Sequence, residues 1–197
     1  MTLTELNAGL ENVLNNIVFE LLLTRLVPDE AWAIVNPPIA TFQGSQGDLL
    51  RLDVGSMCSR MAIPEYKKAV IEEFENCLKR ATVREGHELI LLYCEQTKQF
   101  QVYKAQPWFQ FARIIRNVVS HKDAGMLQEW PPDLKRAGIP SVSWRHHVLA
   151  ENMVGSAVAF TLYDALNLLK DQIEFARTKL AQPTATPDRS HRLGGRI

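Results

Sequence analysis

Pro107-Trp-Phe-Gln-Phe-Ala-Arg-Ile-Ile-Arg-Asn-Val-Val-Ser-His121 is the stretch whose reading decides the fold. At about 100° per residue it divides on a helical wheel. Phe111, Ala112, Ile114, Ile115, Val118 and Val119 share one side. Arg113, Arg116, Asn117, Ser120 and His121 form one arc on the other, with Gln110 beside them. A surface helix commonly mixes acids with bases on its wet face. Here no Asp or Glu occurs from Gln96 through Lys122, while Lys98, Lys104, Arg113, Arg116 and Lys122 are all cationic. Such a face suits an anion, and His121 is its one side chain that exchanges a proton near neutral pH. By spacing alone the arc reads first as a solvated cationic helix face.

Outward from this helix, which is expected to run from Pro107 to Lys122 and to end at Gly125, the pattern stays helical. Residues 3–26 place Leu3, Leu6, Leu10, Val13, Ile17 and Leu21 at three- and four-residue steps, with Thr2 or Thr4 as cap and Pro28 as stop. Helix resumes at Pro64, a residue suited to the first turn. Tyr66, Ala69, Val70, Phe74, Cys77 and Leu78 trace its apolar stripe, and Gly86 is expected to bend or interrupt it. Leu89–Cys94 is apolar all round and reads as helix or buried strand, with helix favoured by the flanking Glu88 and Glu95. A last helix is expected from Glu151 to Leu180, and residues 181–197 read as a flexible, weakly basic tail. Two irregular stretches interrupt this series. Residues 27–60 hold turn signals and room for a short strand at Leu49–Val54, and residues 123–150 hold a strand or hairpin arm at Ser141–Val148. The expected fold is an all-α bundle of four to five helices over residues 1–180, with two long insertions and short strands within them.

Composition narrows the class. The 197 residues, 46% hydrophobic and 22% charged, are those of a globular chain long enough for a proper core. Lys+Arg and Asp+Glu both number 22, so net charge points to neither nucleic acid nor membrane. Residues 1–60 carry seven acids and three bases, which leaves the remainder net positive. Cys58, Cys77 and Cys94 fit neither a disulfide framework nor a metal knuckle, and read as buried thiols in a reducing cytosol. No signal peptide opens the sequence and no apolar run approaches the roughly 18 residues that span a bilayer, so a cytoplasmic protein without membrane contact is expected.

Several chemistries lack their residues. There is no Gly-rich phosphate loop and no nucleophile elbow. His146 and His147 are adjacent, so in a strand they point to opposite faces and do not share a metal. They, His87 and His191 read as surface histidines, Trp32, Trp108, Trp130 and Trp144 as core or interface anchors, and no metal or cofactor is expected. The arc on the focal helix remains. Asn117 and His121 stack at i, i+4, as do Arg113 and Asn117. Arg116 lies about 140° from His121, but its long side chain can reach over. Arg holds a phosphate bidentately and His moves a proton on a ribose hydroxyl. That pair is the minimum for metal-free RNA cleavage by the 2′-OH. One histidine does not act as acid and base at once, so a two-fold dimer would supply the second.

Arg116-Asn117-Val-Val-Ser-His121 resembles the signature of the HEPN superfamily, an Arg, commonly followed by a polar residue, and then a His after a short gap. The resemblance covers six residues and the order of long helices around them. It implies a HEPN-like helical bundle and a metal-independent endoribonuclease acting as a homodimer on RNA, of the kind found in toxin–antitoxin and phage-defence systems, with a cognate antitoxin or defence protein as further partner. Arg116, His121 and Asn117 would be its catalytic residues. Arg113, Ser120 and Lys122 would bind substrate. Some HEPN domains are inactive, which leaves a non-catalytic dimeric module for RNA, nucleotide or protein as the alternative.

Overall fold

The computed structural model describes residues 1–26, 39–43, 47–120 and 125–182. The described chain is mostly helical, and its long helices are α1 (Leu3–Leu26), α3 (Pro64–Gln96), α5 (Phe109–Ser120) and α7 (Leu162–Lys179). Short helices intervene: α2 (Val54–Met61), α4 (Phe100–Lys104) and α6 (Pro132–Arg136). Two antiparallel hairpins lie inside the stretches read as irregular. One pairs β1 (Ile39–Gln43) with β2 (Leu49–Asp53); the other pairs β3 (Ser141–Trp144) with β4 (His147–Ala150). The architecture is therefore helical with strand insertions, not purely α.

The long helix α3 is the hub, packing against α1, α5 and α7. Its buried positions Leu78, Val83, His87, Ile90 and Cys94 recur at helical steps, while its first three turns stay largely exposed. Gly86 does not break it. A Cβ there would lie 2.5 Å from the Gln172 Oε1 and 3.0 Å from a Leu169 methyl of α7. The glycine lets two helices approach closely, and the neighbouring helical turns keep its backbone regular. Leu89–Cys94 is helical. At the start of α1, Thr2 and Glu5 bond reciprocally, side chain to backbone, at 3.1 and 2.7 Å, a capping box that satisfies two otherwise orphaned amides.

The last helix starts eleven residues later than its apolar pattern suggests. Glu151–Met153 is a single 3-10 turn, Gly155 turns with φ +84, and the chain then runs extended beside residues 125–127. The bonds are Leu127 N to Ser156 O at 3.0 Å and Gly155 N to Leu127 O at 2.8 Å. Thr161 begins α7 with a capping box to Asp164. Beyond α7, Ala181, expected as the first residue of a flexible tail, is instead held by Gln99 and by the Tyr93 hydroxyl, and the Gln182 side chain accepts from the Leu3 amide; residues 183–197 lie outside the described residues. Trp108, Trp130 and Trp144 are buried as anchors; Trp32 lies outside the described residues. Cys94 is buried, and burial pushes its thiol up to about 12. Cys77 is not buried but exposed, beside Arg80 and Glu73. The side chain of Cys58 is outside the described set. None of the described helices is long and apolar enough to cross a membrane.

Candidate functional site

The focal helix forms as α5, starting two residues later than expected, at Phe109, and its expected end lies outside the described residues. Phe109, Phe111, Ala112, Ile114, Ile115, Val118 and Val119 are buried, and burial of this stripe fixes which way Arg113, Arg116, Asn117 and Ser120 face. His121 and Lys122 follow Ser120 directly and lie outside the described residues. Of the six residues singled out in the sequence, four can thus be placed.

The arc has no acid of its own, but it meets acids from other elements. One Arg113 Nη reaches both carboxylate oxygens of Asp133, on α6, at 3.0 Å each. Arg116 donates to Glu88 of α3 at 3.0 Å and to the Asn117 side-chain oxygen at 3.2 Å. The same Glu88 oxygen accepts from Arg84 at 3.1 Å. Burial works to raise the Glu88 carboxyl, and the Arg116 and Arg84 guanidiniums outweigh it and hold the group below its usual range. Burial and Arg113 oppose each other in the same way at Asp133, with the same outcome. Two guanidiniums share the single Glu88 carboxylate, so the Arg84–Glu88–Arg116 cluster keeps one net positive charge.

Hollows flank the arc on both sides. One of about 730 Å³ lies between Arg113 and Asn117 on α5 and residues 126–133. The other, of about 500 Å³, joins Ser120 to Arg80, Arg84 and Glu88. The Nε atoms of Arg113 and Arg116 are buried without a protein hydrogen-bond partner, which leaves each guanidinium with donor capacity unspent.

Beneath the arc sits His87, which is buried rather than at the surface. Its Nδ1 is 2.7 Å from the Tyr103 hydroxyl. Burial, aided by the charge of Arg116, lowers its pKa to about 4, so the ring is neutral at pH 7 and shares a hydrogen bond with the phenol whose direction follows the ring tautomer. In sequence it sits among Arg84, Glu85 and Glu88, and nothing local marks it as core.

The adjacent histidines also depart from the sequence reading. His146 lies in the hairpin turn and His147 in β4, so strand alternation does not apply to the pair. Their ring centroids are 4.1 Å apart. Asp164 of α7 joins them, with Oδ1 at 3.0 Å from the His147 Nε2. Burial works to raise the Asp164 carboxyl, while the Thr161 hydroxyl and amide and His147 hold it below its usual value. Among the described residues this is the group whose donor set suits a metal.

Comparison with protein-family models, with curated proteins and with solved structures finds no match.

Proposed function

We propose that the chain is a HEPN-like, metal-independent endoribonuclease of toxin or phage-defence type, working in the cytoplasm as a homodimer. The observation that carries this reading is the cationic arc on α5, where Arg116 and Asn117 are joined by a hydrogen bond and precede His121 in the sequence by five and four residues. In this reading a histidine takes the proton of a ribose 2′-OH as its oxygen attacks the adjacent phosphorus. The P–O5′ bond breaks, and the leaving 5′-oxygen takes a proton from the second histidine of the dimer. The products are a 2′,3′-cyclic phosphate and a 5′-hydroxyl. Arg116 holds the charged phosphorane, Asn117 orients the guanidinium, and Arg113, Ser120 and Lys122 bind flanking RNA. Exposed Val18, Phe19, Leu22, Leu50, Leu52 and Ile63 supply apolar surface for association of two chains.

A second reading is favoured by one specific observation: both arginines of the arc are already paired with the protein's own carboxylates, Asp133 and Glu88. In it the arc is a non-catalytic binding face for RNA, nucleotide or an acidic partner such as an antitoxin. Purified protein incubated with total RNA separates the two. The enzyme reading expects that His121→Ala lowers cleavage by roughly the 10²–10⁴-fold typical of a lost general acid or base, while RNA binding persists. The module reading expects no cleavage by the wild type and loss of binding in Arg113→Ala or Arg116→Ala. Equal cleavage by wild type and His121→Ala would remove the site from α5 altogether.

A further inference from the structure

The geometry points to a divalent metal site, of the zinc class, formed by His146 and His147 of the second hairpin and Asp164 at the start of α7. Their donor atoms all lie within 4.8 Å of one another. Imidazole nitrogen and carboxylate oxygen are both ligands of such ions at about 2.0–2.1 Å. Two such donors on one ion, at 90–110° to each other, are about 2.9–3.4 Å apart. The His147 Nε2 to Asp164 Oδ1 separation of 3.0 Å falls in that interval.

The direction of this contact matters as much as its length. The His147 Nε2 is buried and makes no directed hydrogen bond, although Oδ1 is close. In a shared-ion triangle each donor lies roughly 40° off the other's line to the metal. A carboxylate oxygen near an imidazole nitrogen but off its axis is the arrangement such a triangle requires. His146 is exposed, so its ring can swing the remaining distance, at most roughly 1.5 Å, without disturbing the core.

The surroundings hold these groups in place. Asp164 receives the Thr161 amide at 2.9 Å and the Thr161 hydroxyl at 2.7 Å, both on Oδ2, so Oδ1 is left to face His147. His147 lies among Phe111, Trp144 and Phe160, an apolar wall that keeps water from one side. The turn that brings His146 over His147 depends on Arg145, which is not glycine yet has φ 52. A residue in that region is held there by its contacts. Arg145 pairs with Asp171 at 2.8 Å and lies over the Trp144 ring at 5.1 Å. Three protein ligands leave a fourth position open to water on the exposed His146 side. The ion would clamp the β3–β4 hairpin to α7. It lies outside the arc on α5 and takes no part in the RNA chemistry proposed there.

The full-length protein, stripped with a chelator and dialysed, is titrated with Zn²⁺ by calorimetry and with Co²⁺ by visible absorption. The expected result is one equivalent bound at neutral pH, a raised melting temperature, and cobalt bands characteristic of low coordination number. His146→Ala, at an exposed position, should weaken binding by more than the roughly 10–100-fold lost with a mere supporting contact. Asp164→Asn should do the same, and His191→Ala should leave binding unchanged. No stoichiometric uptake, or uptake that survives both His146→Ala and Asp164→Asn, overturns the site.

Discussion

His87 offers the sharpest quantitative test of how the core is built. The ring is 6% exposed, and burial together with the Arg116 charge lowers its pKa from 6.5 to about 4. In the unfolded chain the same imidazole titrates near 6.5. The folded pKa lies below the unfolded one, so as pH falls the unfolded chain takes up the proton first. The contribution to stability is fully present above about pH 6.5 and is lost as pH falls toward about 4. At about 1.4 kcal/mol per pH unit this amounts to about 2 kcal/mol by pH 5 and about 3 kcal/mol at the end of the window. The comparison is wild type against His87→Asn. The side-chain amide reaches the place of Nδ1, can accept from or donate to the Tyr103 hydroxyl, and does not titrate. His and Asn have nearly equal helix propensity, so the exchange adds no pH-dependent term of that kind. Urea unfolding at pH 7.5, 6.0 and 5.0 should show the wild type losing its advantage over the variant by about 2 kcal/mol between pH 7.5 and pH 5. Parallel stability curves over that range would refute the reasoning, since they would mean that His87 is not desolvated in the folded protein.

Two further outcomes follow from local contacts. Thr161→Ala removes the hydroxyl that accepts from the Asp164 amide and donates to its carboxylate; loss of such a cap should cost about 1 kcal/mol, read as a lower thermal midpoint. Glu88→Gln removes the carboxylate shared by Arg84 and Arg116. The pair is about 40% exposed, so stability should change by no more than about 1 kcal/mol. RNA affinity measured by anisotropy should rise as both arginines are freed, and unchanged or weaker binding would show that Glu88 does not compete with phosphate.

The sequence by itself determined what is local. The 3.6-residue recurrence of Phe111, Ala112, Ile114, Ile115, Val118 and Val119 needs no partner to be read, because burial of one stripe sets the orientation of every residue on the helix. The hairpin at Ser141–Val148 and the restart of helix at Pro64 were legible for the same reason. The late start of α7 was half-written in Gly155 and in the spacing Thr161-x-x-Asp164, but an unbroken apolar pattern from Val154 to Leu180 masked it. What only the tertiary structure decided are meetings between residues distant in sequence. The cations of the arc find Asp133 and Glu88 on other helices, Gly86 meets Gln172, and a left-handed Arg145 brings His146 and His147 together beside Asp164. Periodicity reports which face of an element is buried, whereas such meetings depend on how the elements cross, and that is set by the packing of the whole core.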